Sequence, residues 1–198
     1  MKRIAFILFA CIFFFAACEK EEPEIPKTQT EYFPNSVGMY WKYERFDSTS
    51  SEIDTITVSI IGDTMVSEET YKIWKYDYGD WIDREYVIQT NDSIKFFRTQ
   101  FDYSDRLYIV PFELSLGWDN PRFIEDTSYV ASIADLIIDD RLYEDVAFID
   151  RFSAGLNIYL VEKIWIKPHV GLVKLYREHY VLGGGSRWTW KLIESNIQ

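Results

Sequence analysis

Two histidines, two cysteines and 32 acidic residues hold nearly all the acid–base, nucleophilic and metal-binding capacity of this chain. His169 stands in Pro168-His169-Val170-Gly171, which reads as a turn, and His179 alternates with Val173, Leu175 and Val181 on one strand face. A metal site needs His, Cys or carboxylates clustered at local spacing, and a catalytic nucleophile needs a base beside Ser or Cys. Neither pattern is written here. His-Glu-x-x-His, Gly-x-Ser-x-Gly and a phosphate-cradling glycine loop are all missing from the sequence. The acids include Asp102, Asp105, Asp135, Asp139, Asp140, Glu144 and Asp145. A glycosidase needs two carboxylates facing across a cleft, and calcium needs a ring of oxygens. The spacing specifies neither, and Asp139-Asp140 reads as a solvated turn. No catalytic residue, metal ligand or cofactor is therefore expected.

The cysteines point to a different chemistry. Met1, Lys2 and Arg3 open the chain, and Ile4 to Ala17 run apolar without a break. That stretch is too short to span a bilayer, which takes about 20 residues, and it reads as a secretory signal peptide over residues 1–17. Cys11 leaves with the signal, so Cys18 has no partner for a disulfide. Phe15-Ala16-Ala17-Cys18 resembles the bacterial lipobox, with Phe15 where Leu is usual. The resemblance implies that Cys18 becomes the acylated N-terminus, and two or more acyl chains give a stable anchor. Residues 18–31, rich in charge, Pro and Thr, carry no hydrophobic period and read as an acidic tether. Within it Lys20, Glu21 and Glu22 resemble the signal that exports Bacteroidota lipoproteins to the outer face of the outer membrane. The alternative for that run is a solvated linker, which leaves the domain on the periplasmic face.

Loss of residues 1–17 removes Lys2 and Arg3 and no acid, so the net charge goes from −11 to −13. Such a surface repels phosphate backbones, and nucleic acid is excluded as a partner class. Residues 32–198 suffice for a single domain that buries roughly 70% of its unfolded surface. Seven Trp, 14 Tyr and 14 Phe supply its core material and favour strands.

The alternation that positions these residues has period two. Ile56, Val58 and Ile60 alternate with polar residues; Leu156, Ile158, Leu160, Ile164 and Ile166 share a face; Trp188, Trp190 and Leu192 share another. Turns are expected at Gly62-Asp63, Gly79-Asp80, Asn91-Asp92, Ser104-Asp105, Gly117 to Pro121, Ala154-Gly155 and Gly183 to Ser186. Residues 128–140 also fit helical spacing through Val130, Ile133, Leu136 and Ile137. Yet Ile138 to Tyr143 has the same shape as Val66 to Tyr71, an apolar residue, a polar turn and then Tyr, so both read as strand-turn-strand. The expected fold is mainly β: an antiparallel meander of about ten strands forming a curved sheet or open barrel, with little helix.

Tyr32 to Glu44, Ile61 to Trp74, Gly117-Trp118-Asp119, Tyr143 to Ile149 and Pro168 to Tyr176 follow an order similar to that of small Bacteroidota lipoproteins of unknown function. The family opening is closer to Tyr-Phe-Pro-Leu-x-x-Gly-Asn-x-Trp, from which Asn35 and Met39 depart. The resemblance implies a curved sheet or open barrel akin to periplasmic lipoprotein carriers and brings no catalytic residues with it.

Three functions fit these readings. The first is a non-catalytic binding or scaffold lipoprotein of the outer membrane, in contact with a glycan or an envelope protein. Trp74, Trp81, Trp188 and Trp190 are its candidate stacking residues, against the expectation that such aromatics fill the core. The second is a carrier of an apolar ligand inside the curved sheet, and the third is a carboxylate-based hydrolase. A Trp- and Leu-lined cavity would favour the second, and two facing acids in a cleft the third.

Overall fold

The computed structural model describes residues 31–66, 68–98, 106–120 and 125–197. Cys18, Lys20, Glu21 and Glu22 lie outside the described residues, as do Asp102, Ser104, Asp105 and Pro121.

All regular structure among the described residues is strand, in a single antiparallel sheet of twelve rather than about ten. The first six strands are β1 (Tyr40–Asp47), β2 (Glu52–Val66), β3 (Glu69–Asp77), β4 (Ile82–Gln89), β5 (Ser93–Phe97) and β6 (Arg106–Ile109). The second six are β7 (Gly117–Asp119), β8 (Glu125–Ile138), β9 (Arg141–Gly155), β10 (Ile158–Lys167), β11 (Gly171–Val181) and β12 (Gly184–Ser195). Each set is a meander, and β1 pairs with β12 to fuse them in the order β6-β5-β4-β3-β2-β1-β12-β11-β10-β9-β8-β7.

The two edges, β6 and β7, are brought together by side chains, so the sheet is a nearly closed barrel. The backbone N–H of Leu107 donates to Asn120 Oδ1 at 2.8 Å, and the Trp118 indole N–H donates to the Leu107 carbonyl at 2.7 Å. These bonds satisfy edge groups that would otherwise invite pairing with another chain.

Period two produces the expected buried faces. Ile56, Val58 and Ile60 are buried on β2, Ile164 and Ile166 on β10, and Trp190 and Leu192 on β12. Residues 128–140 form the end of β8 and its turn, not a helix, because register shifts at Val130/Ser132 and Ala134/Leu136 give a strand the look of helical spacing. Asp139 and Asp140 both have positive φ, as a two-residue hairpin turn requires.

Several expected turns are corrected. Gly62 lies inside β2, where the register shifts between Ile60 and Gly62, and Gly117 to Asp119 form β7. Gly184 to Ser186 already belong to β12, and the chain reverses at Leu182 and Gly183 instead. Ala154 and Gly155 finish β9, so the turn falls on Leu156 and Asn157 and leaves Leu156 exposed rather than on the inner face. In each case ladder hydrogen bonds override a glycine's local preference.

The N-terminal segment closes one end of the barrel. Tyr32, Phe33 and Pro34 are buried, and the Phe33 ring meets Tyr108, Phe96 and Trp74 at 5.3, 5.6 and 6.2 Å between centroids. Gly171, with φ of +92°, lets the β10–β11 turn approach this plug, and a Cβ there would sit 3.6 Å from Trp41 Nε1.

Candidate ligand-binding chamber

The barrel interior is not filled. Above the Phe33 plug lies a chamber of about 350 Å³, within the range of small-molecule sites. Its floor is aromatic: Trp41 stacks on Trp74 at 4.9 Å, and Phe33, Phe96 and Tyr108 complete it. The indole N–H groups are already used, that of Trp41 on the Val170 carbonyl at 2.7 Å and that of Trp74 on Asn35 Oδ1 at 3.2 Å. The floor therefore presents apolar atoms, not N–H groups, to the space above it. Leu160, Leu175, Tyr43 and Trp190 continue the apolar wall.

A charged row crosses this wall, set by register. Arg151 on β9 is opposite Glu162 on β10, Glu162 is opposite Arg177 on β11, and Arg177 is opposite Trp188 on β12. Arg151 grips Asp126 with Nε and Nη2 at 3.0 and 2.8 Å and donates through Nη1 to Glu162 Oε2 at 3.0 Å. Arg177 Nε donates to Glu162 Oε1 at 2.6 Å. Burial alone would raise the Glu162 carboxyl, but the guanidiniums of Arg177, Arg151 and Arg106 outweigh it and hold it at about 2.

The facing wall repeats the theme. Arg106 on β6 lies over the Phe96 ring at 4.5 Å, pairs with Glu85, and donates to the Tyr76 hydroxyl at 3.2 Å. Burial and the neighbouring Glu85 hold the Tyr76 phenol well above its ordinary value. Asn120, besides joining the barrel edges, donates to Asp126 Oδ1 at 3.2 Å and Ser128 Oγ at 3.1 Å. The closure of the barrel is thus hydrogen-bonded to the Arg151–Glu162 row.

Sequence-predicted residues fall on both sides of this site. Trp74 and Trp190 line the chamber as buried residues, and Trp188 lines it half-buried, with its indole N–H on Asp47 Oδ2 at 3.2 Å. His179 lines the chamber, whereas His169 is exposed in the β10–β11 turn, so the fold does not bring the two together. Trp81 is exposed and stacks on Tyr78 at 3.9 Å. Asp139 pairs with Lys191 at 3.1 Å, away from the chamber lining. Among the described residues no group of His, Cys, Asp and Glu is placed to hold a metal ion.

The arginines and glutamates of the chamber are the residues that sequence reading passed over, although a signal exists. Arg151 follows Ala147 and Ile149 at inward positions, Glu162 precedes Ile164 and Ile166, and Arg177 follows Val173 and Leu175. A charge at an inward position of an apolar alternation marks a buried ion network.

No protein-family model matches the chain, and no curated protein matches it significantly. Two solved structures do. A candidate exported protein from Bacteroides fragilis, described as having a YmcC-like fold, superposes with a TM-score of 0.51 at 7% identity, covering 84% of this chain and 99% of that one. The fold is YmcC-like. A candidate lipoprotein from Parabacteroides distasonis gives a TM-score of 0.49 at 13% identity over the same shares of the two chains. At these identities the likeness speaks for architecture alone, and a YmcC-like barrel can serve more than one function.

Proposed function

We propose that this chain is a non-catalytic, lipid-anchored envelope protein whose barrel binds a small ligand with an apolar body. The observation that carries the reading is the aromatic-floored chamber, which favours the carrier over a scaffold with a filled core. The hydrolase reading is weaker. A general acid needs a carboxyl with a raised pKa, and Glu162 is held at about 2 by its guanidinium partners.

The anchor in this proposal is Cys18, in the outer membrane, with Lys20, Glu21 and Glu22 directing export to the cell surface. The chain enters the barrel at the plugged end, where the Glu31 carbonyl accepts from the His169 N–H at 2.6 Å. An anchor ahead of residue 31 leaves the opposite end of the chamber, lined by Trp188 and His179, turned away from the bilayer.

The test uses a soluble form starting at Glu19, which keeps every described residue. Titration with the neutral fluorophore N-phenylnaphthylamine is expected to give saturable, one-to-one enhancement with energy transfer from tryptophan. Leu160→Trp fills part of the chamber and should abolish it. Non-saturable enhancement, or equal binding to the filled variant, refutes the chamber as the site.

A further inference from the structure

We infer that the chamber selects an amphiphile with an anionic head, and that Arg106 and Arg177 receive that head. The inference rests on the proposed binding function and specifies its ligand class.

A ligand entering the chamber meets charges of both signs. Counting side chains alone, four arginines and three acids line the chamber, a near balance. Their depths differ. The Arg177 and Arg106 side chains are 24% and 18% exposed, whereas Glu162 and Glu85 are 1% and 8% exposed. The carboxylates thus sit behind the guanidiniums that they orient. Asp83, the third acid, lies near the Tyr76 end of β4 and is already turned to its neighbour, with Oδ1 accepting from the Arg84 N–H at 2.8 Å.

Arg177 and Arg106 have donors to spare. A guanidinium has five N–H groups in a planar fork suited to carboxylate, sulfonate or phosphate oxygens. Arg177 directs Nε and Nη2 at one oxygen, Oε1 of Glu162. Arg106 spends Nη2 on Glu85 and Tyr76, and no hydrogen bond among the described residues uses its Nη1. Guanidinium donors left unspent on a chamber wall mark a place for an acceptor.

The setting is also unusual for this protein. The chain carries a net charge of −11, so its outer surface repels anions, while the chamber gathers guanidiniums over an aromatic floor. In a low-dielectric space the excess of one positive charge in the lining, four arginines against three acids, attracts an anion more strongly than in water. Leu160, Trp188 and Trp190 line the same chamber above the aromatic floor and take the apolar body. A purely apolar ligand would leave the remaining guanidinium donors without an acceptor, and an inorganic anion would leave the rings uncovered.

N-phenylnaphthylamine and its sulfonated counterpart, anilinonaphthalene sulfonate, share a ring system and differ in the anionic head. The soluble form should bind the sulfonate at least about tenfold more tightly in low salt, the scale of one charge-assisted hydrogen bond. That preference should shrink at high salt. Arg177→Gln and Arg106→Gln should each bring the ratio of sulfonate to neutral-dye affinity most of the way to one. Arg177→Lys, which keeps the charge, should retain part of the preference. Urea unfolding identifies any variant that fails to fold, and the salt dependence of the wild-type preference then decides. Equal affinity for the two dyes, or a salt-independent preference, overturns the anionic head while the binding function stands. A preference untouched in folded arginine variants places the anion elsewhere and overturns the assignment. Failure of both dyes to bind overturns the underlying function.

Discussion

Glu162 is held charged inside a barrel wall by two strand neighbours, and that position has a cost and a consequence. The idealised penalty for burying an ion is large, and it is offset only where geometry and remaining hydrogen bonds are good. Here both oxygens are engaged, Oε1 by Arg177 and Oε2 by Arg151. Its folded pKa of about 2 lies below the ordinary glutamate value of 4.5, so the contribution to stability is present above about pH 4.5 and is lost as pH falls toward about 2. A shift of this size corresponds to about 3 kcal/mol. Urea midpoints measured at neutral pH and near pH 3 should fall more steeply for wild type than for Glu162→Gln. At neutral pH Glu162→Gln should itself lose about 3 kcal/mol, because Arg151 and Arg177 keep their charge without its counterion. Trp190 makes a second case at this scale. It is buried on β12 and meets the Tyr43 ring at 5.7 Å, so Trp190→Ala should cost about 3–5 kcal/mol in urea unfolding. An unchanged midpoint would make that face a contact surface instead of core.

At the scale of elements, the seam between β6 and β7 sets the barrel apart from a plain curved sheet. It consists of side-chain bonds centred on one residue, Leu107, whose N–H meets Asn120 and whose carbonyl meets Trp118. Asn120→Ala leaves that N–H unpaired and also releases Asp126 and Ser128, so a loss of about 1–3 kcal/mol is expected. Amide exchange should show where the loss falls: Leu107 is expected to exchange much faster, while Val58 and Leu175 in the central strands hold. Uniformly faster exchange would mean that the seam has no local identity. How far such elements could be read from sequence depended on whether the signal was local. The alternation in Ile56-Val58-Ile60 and Trp190-Leu192, the Asp139-Asp140 turn and the strand-turn-strand over residues 128–140 were legible, because side-chain period and turn chemistry are local. Gly62, Gly117 and Gly184 misled, because a glycine in a long twisted ladder marks a bulge or an edge as readily as a turn. Arg106 and Glu85 are 21 positions apart, and no spacing rule joins residues that meet only when two strands bring them to one wall.

For the whole molecule, the plug and the chamber give the barrel a direction. Tyr32-Phe33-Pro34 closes the end at which the chain enters, and its aromatic contacts explain why the opening motif of the sequence is itself part of the core. In the proposed reading an acyl anchor at Cys18 tethers the closed end and leaves the chamber facing solvent. Ligand binding and membrane attachment should therefore be separable. Cys18→Ser should prevent lipid attachment and move the protein from the membrane fraction to the soluble one, while affinity for anilinonaphthalene sulfonate stays within about twofold, since no chamber residue changes. Lipid still attached to the Cys18→Ser protein would refute the anchor, and a lost affinity would show that the anchor region contributes to the site. Orientation across the membrane is the remaining variable, and in the proposed reading Lys20, Glu21 and Glu22 set it. Protease added to intact cells should remove the wild-type domain and spare one in which these three are alanine. Equal protection of both proteins would place the chamber in the periplasm, where an anionic amphiphile would come from the envelope's own lipids and their precursors, whereas equal cleavage would show that display does not depend on this signal. Only selective cleavage of the wild type supports a chamber that samples the medium outside the cell through Lys20-Glu21-Glu22.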